Sequence, residues 1–272
     1  MAESIMVLNG QGATVTHPPT EEPASWSPRA RTITELPTSG ILSNFDVEFI
    51  RQNPTCGSLL WTDFNSSVDV PLNTFKDTSS TIRTLGLTAI GEAAFFTTAD
   101  NEAAEAQWLC PIIVSGGNKW AFGVRIKQSV LTNTKCGYFA GLMVGTVLTG
   151  DMIVDGATLQ TEGSIGFQLK EADGDKIDFV YDTTGQSQVE YDDDYITQVD
   201  DEYNTLEMYF NGTTIQAYAD GVASGTAIPA ASIALATFPA ALVMCPIIAL
   251  KAGHADDFTV TVDWMYAIQH GT

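Results

Sequence analysis

The densest group of side chains that could do chemistry lies between residues 171 and 202. This stretch holds twelve Asp and Glu residues and a single base, Lys176. Calcium takes about six to eight oxygen ligands, so an acidic loop of this kind can hold the ion. We name Asp192, Asp193 and Asp194 as candidate calcium ligands. The spacing of an EF-hand is absent, and a solvated acidic face is the alternative interpretation. No other cofactor is predicted.

Catalysis by carboxylates needs a different arrangement, in which two acids project from the same face of a strand. Retaining glycosidases hold such a pair about 5–5.5 Å apart. The nearest match is Glu171-Ala172-Asp173-Gly174-Asp175. Its Asp-Gly step is typical of a turn, which does not position carboxylates rigidly. Nucleophile-elbow, P-loop and dinucleotide motifs are absent, and the four cysteines form no CxxC pair. These observations predict that the chain is not an enzyme.

Aromatic side chains offer another chemistry, because they can stack on sugar rings. Trp120 and Trp264 fall on the apolar faces of alternating runs, so we predict that both lie in the core. Tyr191 and Tyr195 lie within the acidic stretch and are the better candidates for contact with a glycan.

The charge of the chain excludes several classes of partner. Its 272 residues include 12 Lys and Arg against 33 Asp and Glu, which gives a formal net charge of −21. Nucleic-acid binding needs a basic surface that neutralises phosphates, and docking on anionic lipid needs one too. No apolar stretch approaches the ~20 residues of a membrane span, and the N-terminus does not resemble a secretory signal. We therefore predict neither nucleic acid nor membrane as a partner.

The first 40 residues differ in composition from the rest. Five of the eleven prolines fall there, and proline fixes φ and removes a backbone donor. We predict an extended, polyproline-II-like arm over residues 1–40, followed by one β-domain over residues 41–272. An arm without a core of its own is expected to be held by a neighbouring subunit, with folding back onto its own domain as the alternative. Trp26, Arg29 and Arg31 are the predicted partner-binding residues of the arm.

Apolar and polar residues alternate with period two over much of the chain beyond residue 41. The run Trp120–Lys127 is typical of a half-buried strand. Asn211-Gly212 separates two such runs, which predicts a hairpin with a two-residue type I′ turn. The last run, Phe258–Gln269, predicts a strand of roughly 40 Å whose aromatic residues all share one face.

Helical signals are few. Asp100–Trp108 has good helix formers and an acidic start, and it is the one short helix candidate of the N-terminal half. Ala230–Ala241 is bracketed by prolines, so we predict a loop there with at most one short helix. Many short strands and little helix favour an antiparallel sandwich or jelly roll.

A family resemblance is carried by two runs near the C-terminus, LEMYFNGTTIQAYADGVASGT and FTVTVDWMYAIQ. They resemble the C-terminal half of concanavalin A-like (laminin G-type) jelly rolls, in which a hairpin precedes a long closing strand. Matching upstream strands are found in WAFGVRIK, GYFAGLMVG and SIGFQLKEADGDKIDFVY. The resemblance covers residues 60–270. It implies an all-β, antiparallel β-sandwich of the concanavalin A-like type, to which the N-terminal arm is attached.

A narrower resemblance combines the Pro-rich arm, the acidic jelly roll and the closing VDW…Q strand. This combination is similar to virion proteins of tailed bacteriophages, above all capsid decoration (cement) proteins. It implies a non-enzymatic structural protein on the outer capsid surface of the virion. The implied partners are the major capsid protein and further copies of the chain in a homotrimer. The alternative is a carbohydrate-recognising tail-fibre or receptor-binding module, because a fold by itself does not assign a function.

Overall fold

The structure is a computed structural model of the chain. It describes residues 6–9, 12–15, 41–45, 57–62, 64, 73–78, 80–84, 91–129, 136–145, 148–150, 152–154, 158–159, 162–240, 242–255 and 257–270. Most of these residues belong to β-strands, which we number in chain order.

The strands of the first half are β1 (Met6–Asn9), β2 (Gly12–Val15), β3 (Gly57–Thr62), β4 (Asn73–Lys76), β5 (Thr81–Thr84), β6 (Ala93–Thr97), β7 (Ala103–Gln107), β8 (Ile112–Ile113) and β9 (Trp120–Gln128). Those of the second half are β10 (Cys136–Val144), β11 (Ser164–Leu169), β12 (Lys176–Asp182), β13 (Val189–Thr197), β14 (Asn204–Phe210), β15 (Ile215–Ala219), β16 (Val222–Ala223), β17 (Val243–Ala252) and β18 (Phe258–His270). Short helical segments are α1 (Ala230–Ile233) and the 3-10 turns Ile41–Asn44 and Glu171–Asp173.

Two large antiparallel sheets form a sandwich. Sheet A has the strand order β13-β12-β11-β10-β17-β7-β4, with β8 also paired to β17. Sheet B has the order β16-β15-β14-β9-β18-β6-β5, with β3 also paired to β18. The predicted all-β antiparallel sandwich is therefore confirmed. No helix in the described part of the chain is long and apolar enough to cross a membrane.

The prediction of an extended arm is wrong for residues 6–9 and 12–15, and residues 16–40 lie outside the described residues. β1 and β2 pair with each other as a separate two-stranded sheet, where we expected unpaired polyproline-II-like chain. The physical reason is that the first proline is Pro18, so every residue of β1 and β2 keeps its backbone donor. The boundary between residues 1–40 and 41–272 stays a prediction.

The main core lies between the inner faces of the two sheets. Trp120, Phe122 and Ile126 of β9 are buried there, as the period-two alternation predicts. From sheet A, Phe167 and Phe179 face them with ring centroids 5.3 Å apart. Aromatic pairs at this spacing add to the stabilisation that burial itself provides.

β18 changes face along its length. Its register with β9 shifts between Val262 and Trp264, which marks a β-bulge. Val262 lies in the main core, whereas Trp264 and Tyr266 lie on the outer face of sheet B, beneath Ile41 and Phe45. The prediction that all aromatic residues of this strand share one face is wrong, because one extra residue at a bulge inverts the alternation. Trp264 is buried as predicted, but in a different layer.

The short helix candidate at Asp100–Trp108 does not form a helix, since residues 103–107 form β7. Ala and Glu favour helix locally. Here β17 and β4 pair with the two edges of the segment and satisfy its backbone groups. Ala104 and Ala106 face the main core, while Glu105 and Gln107 point to the outer face of sheet A. The prediction of one short helix within Ala230–Ala241 is confirmed by α1.

The predicted hairpin around Asn211-Gly212 is present, but its turn differs. Phe210 pairs with Ile215, which leaves a four-residue loop between β14 and β15. The side-chain oxygen of Asn211 accepts the backbone N–H groups two and three residues later, at 2.8 and 2.9 Å. The two consecutive positive φ angles of a type I′ turn fall instead at Asp220-Gly221, with values of 48° and 79°.

Three cysteines of the described residues, Cys110, Cys136 and Cys245, are free and buried, as expected for reduced thiols packed as small apolar groups. Burial raises the pKa of Cys110 to about 12. Such a thiol carries little thiolate at neutral pH, so it is a poor nucleophile.

A segment between β10 and β11, which we call the strap, covers the outer face of sheet A. Its described residues are 148–150, 152–154 and 158–159. Ile153 and Leu159 pair with each other in a β-bridge. The buried apolar cluster formed by the strap and the sheet consists of Phe139, Met143, Leu148, Met152, Ile153, Leu159, Val180, Ile247 and Ala249. Burial of each large apolar side chain contributes about 1.5–3 kcal/mol, so the strap forms a second core on this face.

Polar contacts anchor the strap at three places. The Glu105 carboxylate accepts the backbone N–H groups of Gly150 and Met152, at 3.2 and 2.8 Å. The Lys251 ammonium donates to the Gly150 carbonyl oxygen at 3.2 Å. The Gln188 side-chain oxygen accepts the backbone N–H of Leu159 at 2.7 Å.

We expect Glu105→Ala to lower the free energy of unfolding by about 2–4 kcal/mol, because it leaves two buried amides without their acceptor. Hydrogen exchange should show faster exchange at Gly150 and Met152. Glu105→Gln keeps one acceptor oxygen and is the matched control, with a smaller loss. Unchanged exchange at both amides in the Ala variant would show that Glu105 does not anchor the strap.

Candidate functional site

Charged and amide side chains gather on the outer face of sheet A, at the rim formed by β11, β12 and β13. Alternation along β11 and β12 sends apolar residues inward and leaves Gln168, Asp178 and Asp182 on the opposite face. Lys170 follows β11 directly, and the 3-10 turn after it folds back over the strand end. We call the following group the Lys170 cluster: Lys170, Asp173, Asp178, Glu190 and Asp193.

Lys170 stands at the centre of this cluster. Its Nζ atom lies 2.6 Å from an Asp178 oxygen and 3.0 Å from a Glu190 oxygen. An Asp173 oxygen lies 3.1 Å away. One oxygen each of Asp178, Glu190 and Asp193 lie within 4.8 Å of one another. Three elements of the sheet rim are thus joined by one ammonium group.

The burial of these groups is uneven. The side chain of Asp178 is fully buried and that of Lys170 is 9% exposed, whereas that of Glu190 is 43% exposed. Burial alone lowers the pKa of Lys170, but hydrogen bonds to Asp178, Glu190 and Asp173 outweigh it and raise the pKa above its usual value. The ammonium is therefore charged at neutral pH. Burial raises the pKa of Asp178, against the opposing effect of Lys170.

A second polar group lies next to the cluster on the same face. The Gln188 side-chain amide donates to the Gln168 side-chain oxygen at 2.6 Å, so β11 is tied to the residue that anchors the strap. One Asp182 oxygen accepts the backbone N–H and the hydroxyl of Ser164, at 2.7 and 2.9 Å. The other Asp182 oxygen is also buried, and the backbone N–H of Gly163 adds a further hydrogen bond to the carboxylate. Burial raises the pKa of Asp182 to about 6 despite the bonds from Ser164.

The structure retains one of the three calcium candidates and adds two other acids. Asp193 joins the carboxylate group, together with Asp178 and Glu190. Asp194 contributes its backbone N–H, which donates to Asp178 at 2.9 Å, and it has a φ of 55°. Asp192 lies outside the group, in the irregular pairing of β13 with β12. The alternation within KIDFVYD is the sequence signal that could have identified Asp178.

The Glu171–Asp175 run does not form a catalytic strand. Glu171–Asp173 is a 3-10 turn, and Gly174 follows with a φ of 69°. The prediction of a turn is confirmed. The turn nevertheless contributes to the site, because it brings the Asp173 carboxylate back to Lys170.

Of the two aromatic candidates for glycan contact, Tyr195 is wrong because it is buried, and Tyr191 stays a prediction. The stretch that holds them is strand β13. Tyr195 is buried against Phe167, with ring centroids 5.7 Å apart. Tyr191 is partly buried, and its hydroxyl donates to the Ala227 carbonyl oxygen at 3.0 Å. The predicted arm residues Trp26, Arg29 and Arg31 lie outside the described residues.

Comparison with known proteins places the fold. No protein-family model matches the chain, and no curated protein matches its sequence. Solved structures do match. One is SCLam, a non-specific endo-β-1,3(4)-glucanase from family GH16, with a TM-score of 0.53 and 13% identity over 80% of this chain and 92% of that one. The fold is a concanavalin A-like jelly roll.

Two further jelly rolls support this assignment. The Crh5 transglycosylase, in complex with NAG, has a TM-score of 0.51 and 12% identity over 79% of this chain and 84% of that one. The carbohydrate recognition domain of Emp46p has a TM-score of 0.50 and 8% identity over 74% and 89%. The resemblance inferred from sequence is thus confirmed at the level of the fold, and the resemblance to virion proteins stays a prediction.

The same comparisons overturn one prediction. We predicted that the chain is not an enzyme because its sequence carries no recognisable catalytic motif. That prediction is wrong, since the similar structures include a glucanase and a transglycosylase. Carboxylates on this jelly roll can come together from separate strands, as Asp178 and Glu190 do, and a motif search along one strand does not detect them.

Proposed function

We propose that this protein recognises a glycan at the rim of sheet A, through the Lys170 cluster. The observation that carries the proposal is the convergence of Lys170, Asp178 and Glu190 within hydrogen-bond distance on one sheet face. Charged groups make short, strong hydrogen bonds, and a set of acceptors held in fixed positions is suited to sugar hydroxyls. The fold supports the proposal, because the jelly rolls it resembles include a carbohydrate recognition domain.

The side chains of the Lys170 cluster differ in solvent exposure, and we assign their roles accordingly. Glu190 and Asp193 are exposed and face solvent, so they are the groups that contact the sugar. Lys170 and Asp178 are buried and position those carboxylates. Strong negative charge around the site disfavours anionic glycans, so the proposed ligand is a neutral oligosaccharide.

The test is isothermal titration with neutral oligosaccharides: β-1,3- and mixed-linkage β-1,3/1,4-glucan hexamers and N-acetylglucosamine hexamers. We expect at least one series to bind the intact chain, and Glu190→Gln together with Asp193→Asn to weaken it by about tenfold or more. Asp257→Asn, which changes an exposed acid outside the cluster, is the matched control. If none of the three series binds, or if the control weakens binding equally, the proposal fails. The same mixtures, assayed for new reducing ends, report on cleavage.

The capsid-decoration hypothesis remains a separate proposal for where such a module acts. It is motivated by the proline-rich arm of residues 1–40 and by a net charge of −21, which keeps particles apart by repulsion. A chain that lacks residues 1–40 is expected to fold but to lose attachment to phage heads, where the full chain binds as a trimer on the outer surface. Equal loading of the two chains on purified heads would contradict it.

A further inference from the structure

The ammonium of Lys170 occupies the position that a bound cation would take in an acidic cluster. It lies 2.6 to 3.1 Å from carboxylate oxygens of Asp178, Glu190 and Asp173. A lysine ammonium has three donors and no acceptor, so three carboxylates match its hydrogen-bonding capacity. Lys170 is more than nine-tenths buried, and its charged end points into the cluster.

The charge balance depends on this one group. Removing one partner of a buried ion pair leaves an uncompensated charge, which is strongly destabilising. Asp178 is fully buried, and Glu190 and Asp193 each place an oxygen within 4.8 Å of it. Without Lys170, the three carboxylates would repel one another in a partly desolvated site. They would then require another cation.

We propose that Lys170 is the built-in cation of this site and that it keeps divalent metal ions out. The oxygen set of Asp178, Glu190 and Asp193 is of the kind that binds calcium. The ammonium of Lys170 already contacts two of its three members, Asp178 and Glu190. This inference rests on the proposed function. It adds that these carboxylates recognise the glycan without a bound metal ion. The ammonium of Lys170 thus takes the place of the calcium ion that the sequence led us to expect.

The variant that tests this is Lys170→Met, which keeps a long unbranched side chain and removes the charge. We expect Lys170→Met to bind calcium at least about tenfold more tightly than the wild type, measured by isothermal titration. Its melting temperature should fall in chelator and recover when calcium is added at millimolar concentration, whereas that of the wild type should change in neither condition. Lys170→Arg keeps a positive charge at this position, so its calcium affinity should be as low as that of the wild type.

Other acids of the chain can bind calcium weakly, so the site is identified by a second variant. Adding Asp178→Asn and Glu190→Gln to Lys170→Met should abolish the gained calcium binding. The proposal is overturned if the wild type already binds calcium through these acids. It is equally overturned if Lys170→Met gains no calcium binding, or stays unfolded with calcium present.

These readouts separate the two proposals. Calcium affinity and melting temperature are measured without any sugar, so they report on Lys170 even if no glycan binds. If the hexamers bind the wild type, the affinity should be equal in EDTA and in calcium. Binding that disappears in EDTA would contradict the built-in cation and leave glycan recognition standing.

Discussion

Gly166→Ala is expected to lower the free energy of unfolding by about 3 kcal/mol or more. Gly166 faces Gly141 across β10 and β11. A Cβ added there would lie 2.6 Å from the Ala140 carbonyl oxygen and 2.7 Å from the Gly141 Cα atom. Both are backbone atoms of the neighbouring strand, so relief requires the sheet itself to move. Phe139, whose ring would lie 2.9 Å from the added atom, blocks the outward direction.

Urea denaturation at constant pH measures the effect. The matched control is Gly145→Ala, because a Cβ at that glycine has no neighbouring atom within 4 Å. The control should unfold at nearly the wild-type urea concentration. Equal midpoints for the two variants would show that the close approach of β10 and β11 is not a constraint on the fold.

Asp182→Asn is expected to gain stability relative to the wild type as the pH rises. Burial raises the pKa of Asp182 to about 6, from 3.8 for the unperturbed group. Well below pH 3.8 both the folded and unfolded chains hold the proton. Between pH 4 and 6 the unfolded chain releases it first, so the wild type loses stability as the pH rises and recovers it as the pH falls.

The size of this effect follows from the shift. A difference of about two pKa units corresponds to about 2–3 kcal/mol, lost in full above pH 6. Asparagine keeps the oxygen that accepts from Ser164 but cannot ionise. The stability difference between Asp182→Asn and wild type should therefore rise by about 2–3 kcal/mol in favour of the variant from pH 4 to pH 7.5.

Chemical denaturation across this pH range is the measurement. Asp257→Asn serves as the control, because it makes the same substitution at an exposed position. If the stability difference between Asp182→Asn and the wild type does not change with pH, Asp182 is not held in a desolvated position.

Two buried carboxylates on the outer face of sheet A, those of Asp178 and Asp182, have different neighbours. At Asp178 the ammonium of Lys170 compensates the buried carboxylate. At Asp182 the hydrogen-bond donors are neutral groups of Ser164 and Gly163. The first arrangement keeps the ammonium of Lys170 charged, although burial still raises the pKa of Asp178, and the second favours the protonated acid. Lowering the pH toward 5 should therefore protonate Asp182 while the ammonium of Lys170 stays charged.

Local patterns in the sequence were sufficient for the fold class and for many single strands. The alternation of Trp120–Lys127 predicted β9 and its buried face, and the Asn211-Gly212 step predicted a hairpin. These features depend on neighbours along the chain. Period two and turn residues report directly on such short-range geometry.

Several sequence predictions failed where contacts with residues distant in the chain determine the local structure. β7 has helix-forming residues, but pairing with β17 and β4 makes it a strand. The bulge at Val262–Trp264 moves two aromatic rings to another layer, and no local residue pattern marks it. The strap covers a face that alternation alone would leave open to solvent. In each case long-range packing outweighs local propensity.

The sequence by itself determined an acidic, all-β chain with antiparallel hairpins, because charge and two-residue periodicity are properties of consecutive residues. It also identified residues 171–202 as an acidic stretch that holds the candidate calcium ligands. Only the tertiary structure decided which of them meet. Lys170, Asp178 and Glu190 come from the end of one strand and from the two strands next to it. Their convergence depends on register and on a β-bulge, which are set when separate strands pair.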